Sequence, residues 1–224
     1  MKIKKVLILA LVIASQITWA QVSRNLGEFN TVSVFDKLNV ELISSSENKI
    51  SITGSRADEV ETVNKNGELK LRMPFPKLLS GEDITIKLYY KSIDGITANE
   101  GSSIFSKSVL KGTILDLSAR EGANIEVTLD AKKLNVKAVS GAIVELSGEA
   151  VNQDATLMSG GVLKAKGLHT SQTTISVAAG GKAEIHATTL VDAKVKAGGS
   201  IFIYGKPEQI NKETLLGGTI IEKE

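Results

Sequence analysis

Three charged side chains recur at one position of a repeating pattern and could carry chemistry if they share a surface. Glu126, Glu145 and Lys164 each stand four residues after a glycine, in successive repeats. Two neighbouring carboxylates could serve acid–base catalysis or hold a metal ion, and the lysine would offset their mutual repulsion. Because no third group stands in register with them, the pattern favours a solvated charged face over a catalytic centre.

Aromatic residues occupy the same outward position in other repeats. Phe105 and Phe202 stand four residues after their glycines, and Tyr204 follows two positions after Phe202. Exposed aromatic rings can stack on a sugar or a protein partner, and they can equally cover the open end of an elongated fold. The side chains expected to contact a partner are therefore Phe105, Glu126, Glu145, Lys164, Phe202 and Tyr204.

Short polar residues form a second column, six positions before the glycines. Its members are Asp116, Asn135, Asp154, Thr174, Asp192 and Asn211. We interpret the column as turn chemistry, because Asn and Asp side chains cap backbone groups where a chain turns into a strand. A calcium ladder is the alternative, but it requires a glycine-rich, aspartate-bearing nine-residue repeat that this sequence lacks.

The two histidines stand at different positions of the repeat. His169 lies nine residues after Gly160, whereas His186 lies six residues after Gly180. They are therefore not expected to stack as paired ligands, and each is interpreted as a surface or loop histidine. The sequence also has no cysteine, no HExxH motif and no G-x-S-x-G motif. No catalytic residue, cofactor or metal ion is predicted.

The elements that must position these side chains repeat with a period close to 20. Seven glycines stand 21, 19, 19, 20, 18 and 19 residues apart: Gly101, Gly122, Gly141, Gly160, Gly180, Gly198 and Gly217. Mostly aliphatic residues stand three and five positions to either side of each glycine, with polar residues between them. This alternation predicts two strands joined at a glycine corner, and stacking of the repeats predicts continuous aliphatic columns. The predicted fold is all-β, a single-domain parallel β-helix or β-solenoid with coils of 19–20 residues.

The first 20 residues have the composition of a secretory signal peptide. Three lysines precede a short apolar run over residues 6–13, and a small-residue cleavage site ends at Ala20. An uncleaved anchor is the alternative, although the run is short for a bilayer. Cleavage would remove 3 of 27 basic groups, leaving 24 against 25 acidic groups and a net charge near −1. We expect export through the Sec pathway to the periplasm, the cell surface or the medium, with no membrane span after cleavage and no nucleic-acid partner.

The mature chain is predicted to be one domain without disulfide bonds. Residues 21–28 are polar and are expected to be flexible. Residues 29–80 alternate apolar and polar positions between turn signals, which predicts a β region continuous with the solenoid. Because Gly81 stands 20 residues before Gly101, we expect the regular coils to extend over residues 81–224. The polar residues Lys212, Thr214 and Glu222 at normally apolar positions predict a terminal cap.

The order of these motifs resembles the putative auto-transporter adhesin family known as the head GIN domain. The resemblance covers about residues 29–222 and includes Phe35-x-x-Leu38-x-Val40, Lys49-Ile50-x-Ile52-x-Gly54, Asn66-Gly67-x-Leu69-x-Leu71 and Ser140-Gly141-Ala142-Ile143. It implies a single-chain β-solenoid of the parallel β-helix type in Bacteroidetes-like envelopes, and it supplies no catalytic residues.

The expected function is a non-catalytic envelope or cell-surface module that binds an envelope protein or a glycan. A polysaccharide-active enzyme is one alternative, because β-helices can carry lyases and glycosidases. A structural or sensory accessory of the envelope is the other. Weak self-association through the solenoid ends is also expected.

Overall fold

The computed structural model describes residues 21–224, so the predicted signal peptide lies outside the described residues. Within this range the chain forms 17 strands and one short 3-10 helix, Ala57–Glu59. The strands are β1 (Val22–Asn25), β2 (Thr31–Val34), β3 (Asn39–Ser44), β4 (Lys49–Thr53), β5 (Glu61–Lys65), β6 (Glu68–Arg72), β7 (Thr85–Tyr90), β8 (Gly95–Ala98), β9 (Ser103–Ser106), β10 (Leu110–Arg120), β11 (Asn124–Val139), β12 (Ile143–Met158), β13 (Val162–Ala178), β14 (Lys182–Lys196), β15 (Ser200–Tyr204), β16 (Gln209–Leu215) and β17 (Thr219–Glu222).

The chain forms a β-solenoid of about seven coils with roughly 19 residues each, which confirms the predicted fold class. Strands β11 to β14 each follow one side of the solenoid, bend, and continue along a second side. We call the side that follows the glycines the post-glycine face, as in residues 124–129. The side that precedes them is the pre-glycine face, as in residues 134–139. Neighbouring coils pair in parallel, with Ile125 opposite Val144 and Val136 opposite Ala155.

The glycines form the corner between the two faces, as predicted. At a typical corner Ser140 has φ of 55° and Gly141 has φ of 73°, so two successive residues adopt the left-handed conformation. A Cβ atom on Gly141 would meet no heavy atom within 4 Å, so backbone conformation rather than space favours glycine there. The Gly141 N–H donates to the carbonyl of Ser159 at 3.0 Å, which extends the hydrogen-bond ladder through the corners.

The residue after each corner glycine approaches the neighbouring coil closely. A Cβ atom on Gly161 would lie 2.2 Å from the carbonyl oxygen of Ala138. In earlier coils this position holds Ala123 and Ala142, both fully buried. The spacing between coils therefore favours a small residue at this position.

The core consists of the aliphatic columns that the repeat predicted. On the post-glycine face the fully buried column includes Ile104, Ile125, Val144, Leu163, Ala183 and Ile201. Burying one aliphatic side chain of this size stabilises the fold by about 1.5–3 kcal/mol, so the columns dominate the stability of the solenoid.

The N-terminal region joins the solenoid in a stacking order that differs from chain order. Strand β2 lies between β6 and β8, and β3 lies between β7 and β9. The β2–β3 coil turns at Asp36 and Lys37, whose φ angles of 60° and 62° match those of the glycine corners. Because the corner of this coil is formed by Asp36 and Lys37, Gly81 is not one of the corner glycines. Instead, the Gly81 N–H donates to the carbonyl of Asp36. The regular coils therefore begin with β8 and not at residue 81.

The start of the described chain is also part of the sheet, where the sequence predicted flexibility over residues 21–28. Strand β1 pairs antiparallel with β4, and the Leu26 N–H donates to the carbonyl of Asn48 at 2.8 Å. The Arg24 guanidinium donates to the carbonyl of Val60 at 2.7 Å. Side chains along this edge strand alternate between half-buried and exposed positions, so polar residues are suited to it.

The last coil of the described chain, β16 and β17, carries charges at positions that are apolar in earlier coils. The Lys212 Nζ atom lies 2.5 Å from Glu222 Oε1, and Lys212 pairs with the buried Ala193 of the coil before it. Inward-pointing charges at the end of a sheet oppose pairing with another edge. The predicted terminal cap thus takes the form of an ion pair. Among residues 21–224 no helix has the length and apolar character needed to cross a membrane.

Candidate functional site

One outward column on the post-glycine face carries most of the side chains that the sequence predicted to contact a partner. Successive rungs place Phe105 beside Glu126, Glu126 beside Glu145, and Glu145 beside Lys164. The column continues through Glu184 to Phe202. Since neighbouring rungs are about 4.8 Å apart, the five steps from Phe105 to Phe202 span about 24 Å. The result is a charged ridge with an aromatic ring at each end.

A groove of about 340 Å³ runs beside this ridge. Its lining includes Glu126, Glu145, Lys164, Lys166 and Glu184. The hydroxyls of Thr128 and Ser147, which also line the groove, lie 2.7 Å apart. Carboxylates, ammonium groups and hydroxyls therefore share an open, polar surface.

A β-bulge in β13 shapes the groove. Glu145 pairs with Lys164, but Ser147 pairs with Gly167, so β13 has one more residue than β12 between these rungs. A bulge bends its strand and re-aims the side chains beside it. The extra residue accounts for the spacing of 20 between Gly160 and Gly180. It also accounts for Lys166 as a lining residue, which the sequence columns did not indicate.

The central charges of the ridge form an exposed ion pair. Lys164 Nζ lies 3.1 Å from Glu145 Oε2, and both side chains are 51% exposed. This pairing confirms that Lys164 compensates the neighbouring carboxylates. An exposed pair of this kind adds little to stability, about 0–1 kcal/mol. It leaves donors and acceptors available to a polar ligand, without the exclusion of water that strengthens acid–base chemistry.

The aromatic rings of the face are half-buried under lysine side chains. Lys166 Nζ lies 4.5 Å from the ring centre of Tyr204, and Lys182 Nζ lies 5.4 Å from that of Phe202. Phe202 is opposite Ile221 of β17, so another coil follows it. The rings therefore lie on the outer side of the solenoid and do not cover its end. Cation–π contacts hold the lysines over the rings.

The two histidines are adjacent in space, so the expectation that they could not pair was wrong. His169 of β13 is opposite His186 of β14, and their Nδ1 atoms are 3.2 Å apart. The pairing moves directly from Ala165–Ile185 to His169–His186, which leaves three residues of β13 unpaired with β14. His169 lies nine residues after its glycine and His186 six residues after its own. The three unpaired residues of β13 make up this difference, so the two histidines become neighbours.

The Asp/Asn column is also placed differently from its interpretation as turn chemistry. Asp116, Asn135 and Asp154 stand opposite one another within paired strands of the pre-glycine face. The Asn135 amide donates to Asp116 Oδ1 at 2.6 Å, and Lys133 Nζ lies 3.1 Å from Asp154 Oδ2. These side chains bridge neighbouring coils rather than cap a turn. Across residues 21–224 no three His, Cys, Asp or Glu side chains are grouped closely enough to hold a metal ion.

The fold and the ridge together define a class of protein, an all-β solenoid with a polar, aromatic-ended outer face. The chain belongs to the family described as "putative auto-transporter adhesin, head GIN domain", which matches residues 28–207. This membership confirms the resemblance seen in the sequence.

Solved structures show the same fold. A putative adhesin from Bacteroides fragilis is similar with a TM-score of 0.84 and 22% identity, over 93% of this chain and 98% of that one. Putative adhesins from Parabacteroides distasonis (TM-score 0.74, 20% identity, 92% and 97% coverage) and Parabacteroides merdae (0.71, 17%, 94% and 98%) are also similar. No curated protein matches the chain significantly. At these identities the likeness concerns the fold alone.

Proposed function

We propose that the protein is a non-catalytic binding module of the cell envelope or cell surface, and that its post-glycine face binds a glycan. The observation that carries this proposal is the groove of about 340 Å³ beside the charged ridge. Membership of an adhesin family supports a binding role outside the cytoplasm.

The chemistry of the groove suits a polyhydroxylated ligand. Sugar hydroxyls both donate and accept hydrogen bonds, and the groove offers acceptors from Glu126 and Glu184 and donors from Lys166. The Thr128 and Ser147 hydroxyls can do either. An open groove that crosses several coils and carries both donors and acceptors can contact more than one residue of a linear glycan at once.

The aromatic end of the ridge supplies an apolar contact for the same ligand. Phe202 and Tyr204 are half-buried on the outer side of β15. One face of a sugar ring is apolar enough to pack against an aromatic ring. For a glycan to use these rings, the lysines above them must swing aside, which costs little for exposed, flexible side chains.

A glycan array first identifies glycans that bind the protein. Calorimetric titration of the protein with those glycans then measures the affinity. We expect Tyr204→Ala and Glu126→Gln each to weaken binding about tenfold, equal to about 1.4 kcal/mol. Thr156→Ala, on the exposed pre-glycine face, is the matched control and should bind normally. Absence of glycan binding, together with capture of an envelope protein through the same face, would replace the glycan with a protein partner.

A polysaccharide-active enzyme is the second candidate, favoured by one observation. Glu126 and Glu145 lie on adjacent rungs of the groove, about 4.8 Å apart at the backbone. Retaining glycosidases place two carboxyl groups about 5–5.5 Å apart. Polysaccharide cleavage that disappears in Glu145→Gln would support this candidate, and absence of turnover on a broad glycan panel would exclude it.

For location, we propose export through the Sec pathway, with residues 1–20 as the signal peptide. The mature protein would then act in the periplasm, at the cell surface or in the medium. Mass spectrometry of the protein from fractionated cells tests this directly. A mature N-terminus at Gln21 supports the proposal, and an intact Met1 in the cytoplasmic fraction contradicts it.

A structural or sensory accessory role is the outcome left if the protein binds neither a glycan nor a protein partner.

A further inference from the structure

The histidine pair lies outside the groove just described, on the bend that follows the post-glycine face. The Nδ1 atoms of His169 and His186 face each other at 3.2 Å. The ring centres are 4.3 Å apart and the ring planes meet at 79°. Two imidazole nitrogens at this separation are close enough to bind one metal ion together.

We propose that His169 and His186 form a binding site for a divalent transition-metal ion with a preference for imidazole, such as Zn²⁺. Zinc binds histidine nitrogen at about 2.0–2.1 Å in tetrahedral geometry, which places two such nitrogens about 3.3 Å apart. The observed separation of 3.2 Å therefore admits a bridging ion with small ring movements. Imidazole nitrogen suits zinc, copper, nickel and iron, whereas magnesium and calcium prefer oxygen.

Carboxylates continue the same column and attract a cation. Glu149 is opposite His169, and Asp130 is opposite Glu149, so Asp130, Glu149, His169 and His186 occupy four consecutive rungs. A groove of about 290 Å³ is lined by Asp130, Glu149 and His169, so the His169 side of the pair is open to solvent, whereas His186 is half-buried. The described side chains form no group of three ligands as they stand. Rotation of the exposed Glu149 side chain toward His169 supplies the third ligand, and water completes the tetrahedron.

The backbone around His186 is arranged to leave room for its ring. A Cβ atom on Gly205 would lie 2.8 Å from His186 Cε1 and 2.9 Å from its Nδ1. Behind the pair, the buried Thr170 hydroxyl donates to the carbonyl of His186 at 2.9 Å. Outer contacts that fix a ligand's position are a general feature of metal sites. The Thr170 bond fixes the backbone of His186, and the missing Cβ at Gly205 leaves space for the His186 ring beside His169.

The electrostatic environment favours the form of His186 that binds metal. Burial lowers the pKa of His186, and the nearby His169 lowers this pKa further. Neutral imidazole is the ligand form, so the proton that a metal must displace is already held weakly. The other titratable groups in this column are Lys111 on β10, Asp130 on β11, Glu149 on β12 and Tyr204 on β15, and the cationic Lys111 stands opposite Asp130, three rungs from His169.

Calorimetric titration with ZnCl₂ tests the site, using protein purified without a polyhistidine tag. We expect one saturable site at pH 7.5, and its affinity should fall as the pH drops below about 6.5, where free imidazole gains a proton. His169→Asn and His186→Asn should each weaken binding at least tenfold. Glu149→Gln should weaken binding less, because water can replace the carboxylate. Lys196→Gln, an exposed change at the far end of β14, is the control and should leave binding unchanged.

Circular dichroism and the melting temperature of each variant show whether it is folded, so loss of binding can be separated from unfolding. No saturable binding up to millimolar zinc would overturn the proposal, as would equal affinity in the wild type and both folded histidine variants. Either result would leave the histidine pair as a hydrogen bond between rings.

Discussion

The coils β11–β12 and β13–β14 come from the same repeat but differ in how closely they follow it. Asn124 to Val139 of β11 pairs with Ile143 to Met158 of β12 at a constant offset of 19 residues. Between β13 and β14 the register shifts twice, once after Ala165 and once after Thr170. In the regular coils, residues at the same position of the repeat stand opposite one another, which builds continuous columns. The irregular coils bring together residues that the repeat keeps apart.

This difference separates the regular core from the features that break its pattern. In the regular pair, the post-glycine core is aliphatic at Ile125 and Val144 and at Val127 and Leu146, and a glycine, Gly148, stands opposite Leu129. In the irregular pair, buried polar groups appear beside the core, where the Thr170 and Thr173 hydroxyls lie 2.8 Å apart. The groove lysine Lys166 and the histidine pair belong to this part of the solenoid as well. The bulge in β13 is the feature common to all of them.

The largest expected effect is on the regular coils. Ile125→Asp would place an unpaired carboxylate at a fully buried position between Ile104 and Val144. We expect a loss of more than about 4 kcal/mol in the free energy of unfolding, sufficient to unfold most of the solenoid. Thermal melting followed by circular dichroism measures this. Glu126→Gln, at the exposed neighbouring position, is the control, and an unchanged melting temperature for Ile125→Asp would refute the column alignment.

A pair of glycine variants tests which corner position is under more strain. Gly161→Ala would force its Cβ against the Ala138 carbonyl, and we expect a loss of about 3 kcal/mol. Gly160→Ala meets no neighbouring atom and costs only the left-handed conformation at φ of 74°, about 1 kcal/mol. Urea denaturation compares the two variants. A greater loss for Gly160→Ala would mean that conformation, not coil spacing, limits the corner.

A smaller effect is expected at Gln153, where the regular coil β12 meets the irregular coil β13. The Gln153 side chain is 1% exposed, and its Nε2 atom has no hydrogen-bond partner among the described residues. Its neighbours in the column are Leu134 and Thr173. The Thr173 hydroxyl donates to Gln153 Oε1 at 3.3 Å, but it also lies 2.8 Å from the Thr170 hydroxyl and so keeps a partner without Gln153. Removal of the unpaired Nε2 atom offsets the loss of the bond to Thr173. We therefore expect Gln153→Leu to change the free energy of unfolding by less than about 1 kcal/mol, as measured by urea denaturation. A loss above about 2 kcal/mol would show that Gln153, Thr170 and Thr173 together stabilise the bulge.

The sequence was sufficient to predict the scaffold because each repeat carries the same physical signal. Glycine marks the left-handed corner, and period-two alternation marks the buried positions of both faces. The ridge from Phe105 to Phe202 could be predicted for the same reason, since its members keep a constant distance from their glycines. Stacking makes such residues neighbours without further information.

Features that depend on broken periodicity could not be predicted in this way. Counting from the nearest glycine placed His169 and His186 three positions apart, although a bulge brings them into contact. The spacings of 20 and then 18 around Gly180 were the one signal of irregularity, but they do not say where in the coil the extra residue lies. Likewise, the insertion of β2 and β3 between later strands leaves no local pattern, because each strand keeps its own alternation.

The contact between the histidines tests most directly the claim that the bulge of β13 builds a site. The chain has only 2 histidines, so a protein labelled with ¹³C and ¹⁵N in histidine gives just two imidazole signals in NMR spectra. We predict a nuclear Overhauser effect between the two rings in metal-free protein.

Burial and His169 lower the pKa of His186, so we also predict that His186 takes up its proton below the usual pH near 6.5. Folding stability should therefore decline as the pH falls below about 6.5, since the unfolded chain then binds this proton more readily than the folded one. Two rings without a mutual Overhauser effect, together with a His186 that takes up its proton at the usual pH near 6.5, would contradict the claim.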